Sequence, residues 1–298
     1  MMNIENRVIA KVKRFKNGEW QSWEILDLSD TTSIKTPHGI CRLLDIKLNR
    51  GGRFCFYARL LNEDTTSAVA KELVDKVSFR RYSFRSNYQE PRLHVLFNVD
   101  SDHSNKGNEG YAYHGIKMKG ESASNYPIIM KLAEMLSKLF NTRWTIGINP
   151  NVYRNGRDSI GWHADDSQGE RTILTVVIES PEFPRKLKVR TKKEAREGDE
   201  QYEFFPVAGD AYEMNGVMQE YYEHSVPKTK NKECQARRLV IVFRNGRRRM
   251  IERDSGIPTS IKDTEGSKPV TYSFGGLQHL QEGNLYSRDY LYSSGAHS

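Results

Sequence analysis

The stretch NVYRNGRDSIGWHADD, residues 151–166, decides how the fold of this chain is interpreted. Extended segments at 144–153 and 159–165 flank the dipeptide Asn155–Gly156, which is typical of a tight hairpin turn. Further short apolar segments follow this hairpin, at 172–178, 186–190, 203–207, 210–214 and 238–244. A succession of short antiparallel strands predicts a double-sheet jelly roll, that is, a double-stranded β-helix.

Two amphipathic helices are predicted before these strands. SAVAKELVDKV, residues 67–77, has apolar residues at helical spacing and follows polar residues at 62–66 that can cap a helix. YPIIMKLAEMLSKLF, residues 126–140, has one apolar face and carries Pro127 near its start, where proline is favoured. The predicted fold class is therefore α+β, mainly β, with a jelly-roll core braced by helices.

The composition divides the chain into three parts. Residues 1–50 alternate short apolar pieces with polar residues and predict an N-terminal extension, either of small strands or irregular. Residues 51–248 form the predicted main domain, within which the densely charged stretch 185–201 indicates a solvated hairpin or loop. Residues 249–298 are rich in Ser, Gly and Tyr with little periodicity, which predicts a poorly ordered tail.

The chain is basic and contains few cysteines. Its 298 residues include 46 Lys and Arg against 38 Asp and Glu, a formal net charge of +8. This charge favours a polyanionic partner such as nucleic acid, although a solvated basic surface with no specific partner fits the same count. Three cysteines without Cys-x-x-Cys spacing argue against a disulfide framework, and no apolar run approaches the length of a membrane span. We expect a soluble protein of a reducing compartment, the nucleus or the cytoplasm.

His163 and Asp165 are candidate metal ligands. Residues two apart in an extended chain project to the same side, so the imidazole and the carboxylate can converge on one point. They would supply two thirds of a two-histidine, one-carboxylate site, the ligand set that leaves three positions open on non-haem Fe(II). His224, which precedes a Val-Pro-Lys turn, is the best candidate for the missing ligand. Taken alone, His-x-Asp also fits a surface turn with two polar side chains.

Arg238 and Arg244 bracket the apolar run Leu-Val-Ile-Val-Phe. Their even spacing places both on the same face of one strand, with backbones roughly 20 Å apart at about 3.3 Å per residue. Guanidinium groups bind carboxylates bidentately, so the pair could hold a short dicarboxylate. Without the metal ligands, the same pattern would describe two surface arginines flanking a core strand.

Residues 79–88, FRRYSFRSNY, mix arginines with aromatic residues. That composition is typical of a loop that contacts nucleic acid through phosphate binding and base stacking. An ordinary strand with buried aromatic rings and solvated arginines fits the composition as well.

In this order along the chain, these motifs resemble the AlkB-type Fe(II)/2-oxoglutarate dioxygenases, especially the branch that repairs alkylated bases in nucleic acids. The resemblance covers roughly residues 50–248 and rests on Pro91-Arg92, Tyr111-Ala112-Tyr113, Asn151-x-Tyr153, His163-x-Asp165, Gly209-Asp210, His224-x-Val226-Pro227-Lys228, Arg238 and Arg244. It implies an enzyme that uses Fe(II), 2-oxoglutarate and O2 to oxidise an N-methyl group on DNA or RNA. Formaldehyde, succinate and CO2 would be released.

The resemblance also implies a role for each candidate residue. His163, Asp165 and His224 would bind Fe(II). Arg238, helped by Tyr153 and Asn151, would bind the distal carboxylate of 2-oxoglutarate, and Arg244 would lie near its metal-proximal carboxylate. Segments before the metal site would form a lid over a base flipped out of the helix. The candidates for contacting that substrate are Arg80, Arg81, Tyr82, Phe84, Tyr111, Tyr113 and Asp166.

Two departures from the family pattern bear on specificity. Ser167 stands where many nucleic-acid repair relatives have an acidic residue, and residues 179–184 replace a Ser-x-Gly-like turn. Other interpretations are an oxygenase acting on a protein or another modified base, and a nucleic-acid-binding module whose oxygenase core is inactive. A zinc hydrolase could also use two histidines and an aspartate, but it has no need for Arg238 and Arg244. We expect a monomer.

Overall fold

The computed structural model describes residues 7–81, 90–98, 112–113, 116–117, 120–144, 147–165, 172–192, 194–215 and 217–245. For 112–113 and 116–117 it describes the backbone alone. The predicted tail at 249–298 and residues 82–88 of the arginine-aromatic stretch lie outside the described residues.

Strands make up most of the regular secondary structure in the described chain. The strands are β1 (Val8–Lys16), β2 (Glu19–Trp20), β3 (Glu24–Asp27), β4 (Thr32–Thr36), β5 (Gly39–Lys47), β6 (Arg53–Ala58), β7 (Leu93–His94), β8 (Phe97–Asn98), β9 (Ala112–Tyr113), β10 (Ile116–Lys117), β11 (Glu121–Ser122), β12 (Gly147–Tyr153), β13 (Ile160–His163), β14 (Ile173–Glu179), β15 (Leu187–Thr191), β16 (Glu200–Phe204), β17 (Ala211–Asn215), β18 (Tyr222–Val226) and β19 (Arg238–Arg244). The α-helices are α1 (Glu63–Lys76), α2 (Pro127–Leu139) and the short α3 (Met218–Tyr221). None of these described helices is long and apolar enough to cross a membrane.

The strands form two principal sheets. The smaller sheet has the order β13-β18-β15-β16-β1-β2, with β3 also paired to β1. The larger sheet has the order β11-β8-β12-β19-β14-β17-β6-β5-β4, with β7 also paired to β12. Apart from the parallel β8–β11 pair, the pairings in both sheets are antiparallel, and neighbours such as β12 and β19 are far apart in sequence. Two facing sheets of this kind confirm the predicted jelly roll.

One apolar core lies between the two sheets. Phe54 of the larger sheet stacks on Phe204 of the smaller one, with ring centroids 4.2 Å apart. Alternation along β15 buries Leu187 and Val189 on the inner face and leaves the intervening positions half-buried. Each large apolar side chain fully buried in this way contributes about 1.5–3 kcal/mol. The same inner face carries the polar side chains of the site described below.

A second core lies between the helices and the outer face of the larger sheet. Asn62 caps α1 by accepting the Thr65 N–H, as the sequence predicts, but the helix begins at Glu63 rather than at 67. Helix α2, Pro127–Leu139, lies within the predicted segment 126–140, and its N-cap residue makes no side-chain cap. The carboxylate of Glu72 in α1 instead accepts from the backbone N–H groups of residues 128 and 129, each at 3.0 Å. One helix therefore caps the other.

The first strands of the chain belong to both sheets. Strand β1 pairs with β16, which places Ala10 opposite Phe204. Strand β5 pairs with β6, which places Arg42 opposite Ala58. An ion pair also joins the half-buried Arg7 to the buried Asp210, with Nη2 and Oδ2 2.6 Å apart. The strands between residues 8 and 47 therefore extend the sheets that hold the site.

Candidate active site

A cavity opens between the two sheets, and its walls come from strands that are distant in sequence. Strand β13 carries His163 and β18 carries His224, while β12 and β19 face them from the larger sheet. The lining includes His163, Asp165, His224, Tyr153, Arg238 and Arg244. The structure thus brings the metal candidates and the cosubstrate arginines to one cavity.

The three candidate metal ligands converge within this cavity. His163 stands directly opposite His224 in the β13–β18 ladder, and their ring centroids are 4.1 Å apart. His163 Nε2 lies 3.8 Å from Asp165 Oδ1. One ligand atom from each residue lies within 4.8 Å of the others. Two imidazoles and one carboxylate at this spacing match the facial triad of non-haem iron and leave coordination positions open.

Hydrogen bonds orient these ligands. His163 Nδ1 lies 2.9 Å from the Gly161 carbonyl, to which it donates, so Nε2 is the nitrogen that can bind a metal. Asp165 Oδ2 accepts from Arg244 Nη2 at 3.4 Å. The backbone N–H of Asp165 donates to Gln219 Oε1 at 2.9 Å. Both the side chain and the backbone of Asp165 are therefore held by hydrogen bonds from the protein.

The electrostatics keep these groups in the protonation states that metal binding requires. Burial, followed by the neighbouring His163, lowers the pKa of His224 to about 3, and burial also lowers the pKa of His163. Burial acts to raise the pKa of Asp165, but Arg244 and the two imidazoles outweigh it and hold that pKa at about 2. Two neutral imidazoles and a carboxylate therefore face each other at neutral pH. His224 Nδ1 is buried and has no hydrogen-bond partner among the described residues. A buried nitrogen without a partner is what a site that binds a metal can leave, and two neutral imidazoles with a carboxylate are a ligand set that suits Fe(II).

Arg238 forms the cationic end of the cavity. It is 1% exposed, its Nη2 lies 3.4 Å from the Tyr212 hydroxyl, and its guanidinium lies 5.1 Å from the centre of the Tyr153 ring. Within the described part of the chain, no carboxylate lies within ion-pairing distance of it, and its Nε has no hydrogen-bond partner. A buried cation with tyrosines as neighbours is costly unless an anion joins it. The carboxylate of 2-oxoglutarate fits this requirement.

Asn151 lies in the cavity wall, and its amide is engaged by protein groups. Its Oδ1 accepts from Arg92 Nε at 3.0 Å, and its Nδ2 donates to the Asn149 carbonyl at 2.8 Å. Arg92 is 3.6 Å from Glu90, whose other oxygen contacts His94 Nε2. His94 is buried and lines the cavity. The wall opposite the triad is therefore a connected network of buried polar side chains.

Arg185 corrects one sequence-based expectation. It lies in the stretch predicted to be solvated, yet it is 2% exposed. Its guanidinium donates to the carbonyls of Asn155, Asp158 and Pro227 at 2.7–2.8 Å and lies 5.9 Å from the centre of the Tyr153 ring. Arg185 therefore ties the β12–β13 turn to the end of β18 behind the site. The remainder of 185–201 includes the β15–β16 hairpin, as predicted.

Only part of the predicted substrate-binding group can be located. Arg80 and Arg81 are exposed, and the backbone of Arg80 pairs with that of His94 at the cavity wall. Tyr113 is described by its backbone alone, in β9. Tyr82, Phe84, Tyr111 and Asp166 lie outside the described residues, as do the rest of the segments that would form a lid.

Sequence patterns missed several side chains that line or support the site. Thr175 and Tyr212 line the cavity beside Arg238, and both lie in strands that the sequence does predict. Period-two alternation could have placed them on the inner face. Gln219 and Arg185 had no such signal, because each acts on backbone groups far away in the chain.

Comparisons with known proteins agree with this geometry. The family model of the 2OG-Fe(II) oxygenase superfamily matches residues 53–244. A human relative, "Alpha-ketoglutarate-dependent dioxygenase alkB homolog 3", is 26% identical over 185 residues, which is 59% of this chain. The chain spans 60% of the length of that relative.

Similar solved structures include OsALKBH1, at a TM-score of 0.42 and 11% identity over 68% of this chain and 100% of that one. A prolyl-4-hydroxylase from Pseudomonas putida gives a TM-score of 0.40 and 13% identity over 64% of this chain and 92% of that one. The chain belongs to the 2OG-Fe(II) oxygenase superfamily, and the human relative confirms the AlkB-type resemblance predicted from its motifs.

Proposed function

We propose that this oxygenase removes N-methyl groups from bases of DNA or RNA, with release of formaldehyde, succinate and CO2. The observation that carries the cosubstrate assignment is Arg238, a fully buried cation in the same cavity as the His163, Asp165 and His224 triad. No carboxylate of the described chain lies within ion-pairing distance of it. The AlkB-type motifs and the net charge of +8 support a nucleic acid as the substrate.

The position of Arg80 and Arg81 is compatible with this substrate. Both side chains are exposed, and the segment that carries them pairs with His94, whose side chain lines the cavity. Exposed arginines beside the cavity wall can bind the phosphates that flank a base directed towards the metal triad. Phosphate contacts of this kind position a nucleic acid without reading its sequence.

The side chains divide the chemical work. His163, Asp165 and His224 would hold Fe(II), which together with 2-oxoglutarate and O2 supplies the oxidation of the methyl carbon. Arg238 binds and orients the distal carboxylate of the cosubstrate, and Tyr212 and Tyr153 hold its guanidinium. Arg244 keeps one oxygen of Asp165 occupied, so that the other is turned towards His163. Burial of these residues between the sheets excludes water from the reacting groups.

The test is a product assay with the full chain. The protein is incubated with Fe(II), 2-oxoglutarate and DNA or RNA oligonucleotides that contain 1-methyladenine, 3-methylcytosine or N6-methyladenine, and formaldehyde and base mass are measured. We expect demethylation of at least one substrate, its loss in His163→Ala and its retention in His38→Ala, which changes a histidine outside the cavity. Succinate formation without base demethylation would move the proposal to another substrate. Salt-sensitive oligonucleotide binding without any turnover would indicate a binding module.

A further inference from the structure

Gln219 is a buried polar side chain beside the metal ligands. It lies in α3, is 5% exposed, and accepts the backbone N–H of Asp165 through Oε1 at 2.9 Å. Its Nε2 lies 3.7 Å from Met214 Sδ, a weak acceptor. The residue therefore directs its strong acceptor, the amide oxygen, at the backbone of a metal ligand.

This contact falls where the sheet stops supporting the chain. Strand β13 ends at His163, and its ladder with β18 ends at the His163–His224 pair. Asp165 lies two residues beyond this pair, and its backbone N–H donates to Gln219 Oε1 rather than to a neighbouring strand. Because that N–H is buried, losing its acceptor would leave a polar group without compensation. Gln219 thus replaces the missing ladder contact.

The orientation of the Asp165 carboxylate depends on that backbone. Its Oδ1 lies 3.8 Å from His163 Nε2, and its Oδ2 lies 3.4 Å from Arg244 Nη2. A change of backbone dihedral at Asp165 would swing Oδ1 out of the ligand cluster, whose atoms lie within 4.8 Å of one another. Metal affinity falls when a ligand is no longer preoriented.

Gln219 and helix α3 are themselves held in place by contacts with neighbouring residues. The Gln219 carbonyl accepts from Lys192 Nζ. Gly52 packs so closely on α3 that a Cβ there would lie 2.4 Å from the backbone nitrogen of Met218. Helix α3 leads directly into β18, which carries His224. One short helix therefore contacts the backbone of one candidate metal ligand and leads directly into the strand that carries another.

We propose that Gln219 is a positioning residue of the metal centre, which holds Asp165 so that the three ligands are assembled before the metal binds. The residue does not touch the metal; it acts through the backbone of Asp165. The proposal is independent of the methylated substrate, because it concerns metal affinity alone.

The test compares Mn(II) binding by the full chain and its variants, measured by electron paramagnetic resonance without 2-oxoglutarate or nucleic acid. Gln219→Leu keeps a similar volume but removes the acceptor, and we expect its Mn(II) affinity to fall about 10- to 100-fold. Gln219→Glu keeps an acceptor oxygen, and its Mn(II) affinity is expected to be at least that of the wild type. Urea unfolding checks that each variant is folded.

The control is Gln235→Leu, which also removes a side-chain acceptor of a backbone N–H, that of Gly156, but outside the cavity. Its Mn(II) affinity should equal that of the wild type. A folded Gln219→Leu variant with wild-type affinity would overturn the proposal, as would a Gln219→Glu variant as weak as Gln219→Leu. If Gln219→Leu does not fold, Gln219→Asn, whose shorter side chain withdraws the acceptor, is held to the same criterion.

Discussion

Replacing Arg238 with methionine separates cosubstrate binding from protein stability. The guanidinium is buried against Tyr212 and Tyr153, and the described chain offers it no carboxylate. Truncating one partner of a buried, hydrogen-bonded charge pair, here Arg238 opposite the 2-oxoglutarate carboxylate, typically costs about 2–5 kcal/mol of binding. At about 1.4 kcal/mol per factor of ten, the affinity for 2-oxoglutarate should fall roughly 30- to 4,000-fold.

The same substitution should not destabilise the protein when 2-oxoglutarate is absent. Desolvating a guanidinium without an anion is unfavourable, so an apolar side chain of similar length removes a cost as well as a contact. The free energy of unfolding of Arg238→Met is therefore expected to equal or exceed that of the wild type. In the wild type 2-oxoglutarate should add stability through binding, whereas in the variant this increase should disappear.

The assay combines calorimetry of 2-oxoglutarate binding in the presence of Mn(II) with urea unfolding at several 2-oxoglutarate concentrations. Arg237→Met is the matched control, because Arg237 is the neighbouring residue but is exposed and paired with Glu179 at 2.6 Å. Losing that exposed pair should cost about 0–1 kcal/mol of stability and leave 2-oxoglutarate binding unchanged. Wild-type cosubstrate affinity in Arg238→Met would refute the assignment of Arg238.

Three further substitutions test how the scaffold is held. Glu72→Ala removes the carboxylate that caps α2 and should lower the free energy of unfolding by about 1–3 kcal/mol in urea titrations, because two backbone N–H groups lose their acceptor. Gly209→Ala should also lower the free energy of unfolding by about 1–3 kcal/mol. The φ of +87° at this position strains any residue other than glycine, and a Cβ would lie 2.7 Å from the Leu61 carbonyl oxygen. Asp199→Asn should destabilise the protein at neutral pH. Burial acts to raise the pKa of Asp199, but the ion pair with Arg50 and hydrogen bonds outweigh burial and hold this pKa below its ordinary value of 3.8. The stabilising charge exists above that ordinary pKa and is lost as the pH falls through the lower folded value, so unfolding followed against pH should show the two proteins converging in acid.

Two of these substitutions have a matched control. Asp75→Ala removes an exposed carboxylate of α1 that pairs with Lys71, and it should change stability by no more than about 0.5 kcal/mol. Gly39→Ala keeps the strain of a positive φ but meets no atom within 4 Å, so it should cost less than Gly209→Ala. Equal costs at the two glycines would contradict the argument from the close contact. A pH-independent effect of Asp199→Asn would contradict the assigned ion pair.

Strand geometry explains why the spacing of some site residues was informative. Alternation with period two requires that His163 and Asp165 share a side while the chain stays extended, and the structure places both in one cavity. The even interval between Arg238 and Arg244 likewise brings both onto the cavity wall from β19. Local periodicity can therefore be read without knowing the partners of a strand.

Element boundaries were less predictable. The segment expected at 203–207 is strand β16, Glu200–Phe204, because its polar first residues lie in the ladder opposite Arg14 and Lys13 of β1. Helix α1 likewise begins four residues before the predicted start, with Glu63 and Asp64 in its first turn. Polar residues at the end of an element resemble a loop when pairing partners are unknown.

The sequence by itself determined the fold class, the residues with metal-binding chemistry and the arginine pair, since these depend on residue type and short-range periodicity. Tertiary structure alone decided the roles of Gln219, Arg185 and Glu72. Each of these polar side chains is buried and makes a hydrogen bond to a backbone group 27 to 57 residues away in the sequence. Before folding brings those groups together, water solvates the side chains equally well, so nothing in the local pattern distinguishes them from surface residues.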